Sequence, residues 1–177
     1  MKKLISLLTA LTLCLGLFSC AHSHQEDDEV STEGFVQHFE SGVYYSLPKD
    51  FVTKKLSYGD YVYTNGEKAY LVVNVYDQVE LEENMRISKD VSVREYAQMI
   101  VTARGCSGYK YDEKTDTATF DYVYEYNDGS GFPNEYYLYK ILRNESALYQ
   151  IYLSCDEDDL PKYQKTFNAV LKTIVLE

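Results

Sequence analysis

Asp60-Tyr-Val-Tyr-Thr-Asn65-Gly66-Glu-Lys-Ala-Tyr70-Leu-Val-Val-Asn-Val-Tyr76 is the stretch whose pattern decides the fold. Apolar and aromatic residues flank Asn65-Gly66, a pair that tolerates positive φ at both positions, and this predicts a tight two-residue hairpin. In the returning strand, Ala69, Leu71, Val73 and Val75 share one face, while Tyr70, Val72 and Tyr76 share the other. A strand apolar on both faces must be covered on both, so it belongs near the centre of a sheet. The rest of the chain has to supply two covering layers.

Working upstream, Val43, Tyr45 and Leu47 alternate in a strand that stops at Pro48, and Phe51 to Lys55 is a short extended candidate. Downstream, Glu80 to Asp90 is polar and reads as a connection. Ser92-Val-Arg-Glu95 has the spacing of a capping box. Tyr96, Met99, Ile100 and Ala103 follow at helical spacing, and Gly105 marks the stop. From Gly108 the period returns to two. After a polar turn at Asp112 to Asp116, Ala118, Phe120, Tyr122, Tyr124 and Tyr126 face one way. Asn127 to Gly131 is a loop; Glu135 to Leu142 and Ala147 to Cys155 are two more strands, joined by a short hairpin at Arg143 to Ser146. Tyr163, Phe167, Val170, Leu171 and Ile174 form the apolar stripe of a closing helix, with Pro161 in its first turn. The order predicts an α+β fold, an antiparallel β-sheet flanked by helices (an α/β/α sandwich), as one domain over residues 35–177.

The amino terminus reads as an address. Met1-Lys2-Lys3 precedes an apolar run from Leu4 to Phe18, too short for a comfortable membrane span, and Leu17-Phe18-Ser19-Cys20 resembles the lipobox of bacterial lipoproteins. The resemblance implies removal of residues 1–19, a lipoprotein signal peptide, and acylation of Cys20. The competing reading is an ordinary signal peptide cut near Ser19 or Ala21. Residues 20–34 are polar and acidic, with Glu26-Asp27-Asp28-Glu29, and read as a flexible tether. Together these features predict an exported domain, lipid-anchored to a bacterial membrane. They do not distinguish the inner membrane from the outer membrane or the cell surface.

Charge narrows the partners. The 177 residues carry 17 Lys and Arg against 28 Asp and Glu, a net charge of -11, which argues against nucleic acid. Removing the signal, which holds Lys2, Lys3 and no acid, makes the remainder more acidic still.

Catalytic and metal-binding patterns are sparse. All three histidines, His22, His24 and His38, precede the expected core. No H-E-x-x-H, G-x-S-x-G or phosphate-loop motif occurs, and carboxylate pairs are easily invented among 28 acids. His22 and His24 offer two ligands on a tether. Asn127 to Gly131 and Asp156 to Asp159 offer oxygens without EF-hand spacing, so solvated acidic loops are the simpler account. No enzyme activity, cofactor or metal site is expected.

Apart from Cys14 and Cys20, the cysteines are Cys106 and Cys155. In an exported domain they are candidates for a disulfide, with reduced structural thiols or a redox pair as alternatives. All 19 tyrosines follow the signal, and there is no tryptophan. Tyrosine fills a core with its ring and reaches water with its hydroxyl, and it is also a common interface residue. Tyr136, Tyr137 and Tyr139 on one strand are the candidate partner surface.

Gly42-Val-Tyr-Tyr-Ser-Leu-Pro48-Lys-Asp-Phe51 resembles the opening strand of the PsbP-like superfamily. The Ser92–Arg104 helix, the Phe120–Tyr126 strand and the Tyr163–Ile174 helix fall where that family has corresponding elements. The resemblance spans about Phe35 to Glu177 and implies an antiparallel sheet with helices on both faces. Photosynthetic members help stabilise an oxygen-evolving complex, but their plastid targeting pattern is not found here. Another small α+β sandwich, such as a cystatin-like domain, is the alternative. The functional expectation is a bacterial cell-envelope lipoprotein with a non-catalytic binding or accessory role and an envelope protein partner. A structural or assembly component of an envelope complex, or less favourably an envelope hydrolase, stands as the alternative.

Overall fold

Strand β9, Ala147–Asp156, lies at the middle of the molecule, hydrogen-bonded to β5 (Ala69–Asp77) on one side and β8 (Glu135–Arg143) on the other. The structure is a computed structural model and describes residues 31–66, 68–127 and 131–177. Cys20, His22, His24, the signal segment and most of the tether lie outside the described residues. The remaining elements are β1 (Phe35–Glu40), β2 (Val43–Pro48), β3 (Val52–Thr53), β4 (Tyr61–Thr64), α1 (Val93–Arg104), β6 (Ser107–Asp112), β7 (Thr117–Tyr124), α2 (Leu160–Thr173) and β10 (Val175–Leu176).

Seven strands form one sheet in the order β3-β4-β5-β9-β8-β7-β6, with every neighbouring pair antiparallel. The chain leaves β5, crosses one face through α1 to the far edge, and meanders back through β6, β7 and β8 to β9, which lies beside β5. That crossover lays α1 on one face. The opposite face is covered by α2 and a small sheet ordered β1-β2-β10. The architecture is the expected α+β sandwich.

Period two sorts the core into two layers. On the α2 side, Leu71, Val73, Ile151 and Leu153 of the large sheet meet Val43, Tyr45 and Leu47 of β2 and Phe167, Val170 and Ile174 of the terminal helix region. On the α1 side, Val93, Tyr96 and Ala97 meet Ala118, Phe120, Ile141 and Leu148. Burying a side chain such as fully enclosed Phe167 stabilises by roughly 1.5–3 kcal/mol before entropy is counted.

The helices end as their sequences dictate. Ser92 and Glu95 form the reciprocal capping box, and Gly105 closes α1 at φ 64°, a left-handed conformation that only glycine adopts cheaply. At the other helix, the Lys140 ammonium reaches from β8 to the C-terminal end and donates to the carbonyls of Leu171 (3.0 Å) and Ile174 (2.8 Å). It satisfies carbonyls that the helix cannot pair and complements the negative end of its dipole.

Three expectations need correction. The Asn65-Gly66 hairpin forms, but not as a two-residue turn: Thr64 pairs with Tyr70, and the Asn65 side chain accepts from the Ala69 amide at 2.9 Å. An asparagine side chain bonding the backbone four residues on stabilises this wider loop instead. His38 does not precede the folded region; it sits in β1, stacked on Tyr45 (centroids 5.6 Å apart) and edge-on to Tyr63 (4.8 Å). The Glu80 to Asp90 connection contains a turn of π-helix at Glu80–Asn84, anchored by fully buried Leu81.

Candidate binding site

With 12 residues α1 is only about 18 Å long, and it shields one part of its face of the sheet. The shielded rows include Ala118 and Ile141, and Phe120 beside Tyr139. One row further along, the cross-strand neighbours are Tyr122, Tyr137, Ser154 and Tyr70, running from β7 through β8 and β9 to β5. Ser154 is the small member of that row. Between two tyrosines it leaves a depression where a larger side chain would have filled the surface.

The depression is a hollow of about 440 Å³. Tyr70 and Val72 come from β5, Tyr152 and Ser154 from β9, and Glu135 and Tyr137 from β8, each pair two residues apart and therefore on one face. Tyr126 and Tyr58 complete the wall. Tyr58 is held there by its neighbour Gly59, whose φ of 146° and close approach to Val72 exclude a side chain; a Cβ would lie 2.6 Å from Val72 Cγ1. The rings are in mutual contact: Tyr122 stacks on Tyr137 at 5.1 Å, and Tyr137 tilts against Tyr152 at 5.7 Å.

One carboxylate organises the polar side of this hollow. The Tyr137 hydroxyl donates to Glu135 Oε2. Burial raises the pKa of Tyr137, and the hydrogen bond to Glu135 adds to it. Tyr152 and Tyr58 are also held above the ordinary phenol value, first by burial and then by neighbouring phenols and the field of Glu135. These phenols stay protonated at neutral pH, so the hollow presents aromatic rings, hydroxyl groups and one carboxyl group. Among the described lining residues none is Lys or Arg. The Lys54 ammonium lies 5.4 Å from the Tyr70 ring centroid.

The residues singled out from sequence are dispersed. Tyr136 points to the α2 side, buried, and donates to Asp121 Oδ2 at 3.0 Å. Tyr139 is buried on the α1 side against Phe120. Only Tyr137 reaches the hollow, so the three do not share a surface; consecutive strand residues alternate between two covered faces.

Cys106 and Cys155 are free thiols, and this corrects the expected disulfide. Cys155 is buried in the α2-side core, whereas Cys106 packs against the α1-side core, with the sheet between them. Cys106 also immediately precedes β6, three strand positions from β9, or about 14 Å at the usual strand spacing. A disulfide needs alpha carbons within about 7 Å. Burial pushes the Cys155 thiol up to about 12, with nearby Asp159 and Asp156 adding to the shift.

Two members of the Asp156 to Asp159 cluster are paired locally. Asp156 and Asp159 pair with Lys68 at 3.7 and 3.1 Å, and residues 128–130 of the Asn127 to Gly131 loop lie outside the described residues. Among the described residues no three His, Cys, Asp or Glu side chains converge as a metal site would require. No described helix is long and apolar enough to cross a membrane.

No family model matches the chain, and no curated protein matches it in sequence. Its architecture is similar to that of the cyanobacterial PsbP protein (CyanoP) of Synechocystis, with 10% identity, a TM-score of 0.54, and coverage of 84% of this chain and 96% of that one. A protein of Bacteroides thetaiotaomicron aligns with 6% identity and a TM-score of 0.48, over 76% of this chain and 45% of that one. The Ran-binding protein Mog1p of Saccharomyces cerevisiae aligns with 9% identity and a TM-score of 0.47, over 80% and 94%. The first of these likenesses places the chain in the PsbP-like fold class. At 10% identity it speaks to the fold alone.

Proposed function

We propose that this chain is a bacterial cell-envelope lipoprotein, exported by residues 1–19, acylated at Cys20, and held off the membrane by an acidic tether. Its folded domain acts as a non-catalytic binding or accessory module. The tyrosine-lined hollow around Glu135 and Ser154 engages an envelope protein partner. The observation that carries this reading is the hollow itself, where aromatic rings that elsewhere lie in the core stay open to solvent around one carboxylate. Aromatic side chains in a concavity supply large contact area with few rotamers to freeze, which suits recognition.

The test is in-cell photo-crosslinking of the intact lipoprotein. A photoreactive residue at Tyr58, on the rim of the hollow, is compared with one at Lys114, in the remote turn between β6 and β7. Discrete protein adducts from position 58 and not from position 114 are expected. Equal patterns from the two positions, or none from position 58, would contradict the reading.

A further inference from the structure

We infer that the hollow accepts a basic side chain, Lys or Arg, presented by an exposed segment of that protein partner. The inference rests on the hollow being the binding site and adds the chemistry of its ligand. The rings of Tyr58, Tyr70, Tyr137 and Tyr152 line the cavity around the Glu135 carboxylate. The face of an aromatic ring is the negative part of its quadrupole, and several faces around one cavity attract a cation additively. Glu135 adds a full negative charge, and its hydrogen bond from Tyr137 ties the carboxylate to the ring wall.

Among the described lining residues none offers the positive charge an anion would need, and among the described residues no three His, Cys, Asp or Glu side chains converge as a bare metal ion would need. Lys54 against Tyr70, at 5.4 Å, is a resident instance of an ammonium held on one of these rings. Residues 35–177 hold 15 of the 17 Lys and Arg and 23 of the 28 Asp and Glu, a net charge of -8 that draws basic segments towards the domain before contact, and acidic surfaces disfavour acidic partners. A Lys or Arg side chain also fits mechanically. Its methylene stem packs along tyrosine rings while its charged end meets the carboxylate.

The test uses the full lipidated chain in detergent micelles with ring-labelled tyrosine, titrated and read by NMR. The probes are N-acetyl-lysine methylamide, its uncharged norleucine counterpart, and methyl glucoside as a neutral sugar. The lysine probe should shift the tyrosine rings saturably and bind at least about fivefold more tightly than the norleucine probe. Glu135→Gln should bring the two within about twofold of each other, while Glu113→Gln, which removes a carboxylate from the remote exposed turn between β6 and β7, should retain the preference. Norleucine or glucoside binding as tightly as lysine would overturn the inference, as would no ring shift with any probe. In either event, position-58 adducts that persist in cells would leave the hollow as the binding site, and their absence would remove both.

Discussion

Ser154 and Tyr137 face each other across β9 and β8, and this small-to-large pairing leaves the sheet surface open. On the rows nearer α1, Phe120 stacks on Tyr139 at 5.0 Å, and Tyr139 lies 5.1 Å from Tyr152, so rings close over rings. The hollow begins where that succession of rings is interrupted by a serine, past Tyr122, whose hydroxyl accepts from Arg104 at the end of α1 at 2.8 Å.

The tyrosines make the fold sensitive to alkali. Tyr96, Tyr136, Tyr139 and Tyr152 all have phenol pKa values raised, chiefly by burial, above the ordinary 10.0. A raised folded-state pKa gives stability that is complete below pH 10 and is lost as pH climbs past the unfolded value towards the folded one. Lys140 has the opposite sign: burial lowers its pKa, so its deprotonation relieves a cost as pH rises. Tyr137 and Tyr58 act in the same direction, so the raised phenols outnumber this one lowered amine. Stability to urea should therefore start to decline above about pH 8.5, where the unfolded cysteines ionise and buried Cys155 does not, and fall steeply above 10, with tyrosinate absorbance appearing together with unfolding. Tyrosinate forming in full while the fold persists would contradict this.

The thiols provide a second check. Unfolded without reductant, protein from intact cells should take up alkylating reagent at both Cys106 and Cys155. In the native state Cys106, only partly buried, should react first, and buried Cys155 should react only as the protein opens. A labelling-resistant pair that becomes reactive only after reduction would restore the disulfide.

Phe167 sits at zero exposure under the small sheet, with Tyr163 stacked on it at 5.8 Å. Phe167→Ala should cost about 3–5 kcal/mol, measured by urea denaturation. A loss below about 1 kcal/mol would mean that α2 is not packed on the sheet as described.

Much of this architecture was legible in the chain. Strand β5, the Ser92 capping box and the stripe from Tyr163 to Ile174 each carry a local signal that matches their final place. Strand β1 and strand β10 carry none: Phe35–Glu40 has no clean alternation, and both pair only with β2. The hollow was half legible. Tyr70 with Val72, Glu135 with Tyr137 and Tyr152 with Ser154 are each two apart, so each pair shares a face of its strand. Bringing the three pairs together depends on β9 inserting between β5 and β8, a long-range register that no local pattern specifies. The same gap explains the cysteines, since both stand at element ends but on opposite sides of a sheet.

The anchor is tested at the mature terminus. Mass spectrometry should show acyl mass on Cys20, and Cys20→Ala should release the domain from membranes. An unmodified peptide beginning at Ala21 would contradict lipidation.

Filling the hollow tests its role most directly. Ser154→Leu places a branched side chain on the floor of the depression, where Ser154 is buried between Tyr70 and Tyr137, and should cost no more than about 3 kcal/mol of stability to urea, so that the protein stays folded. Carried in the intact lipoprotein with the photoreactive residue at Tyr58, it is predicted to cut the yield of specific adducts by about tenfold or more. An unchanged adduct yield from a folded Ser154→Leu protein would show that the partner does not use the hollow.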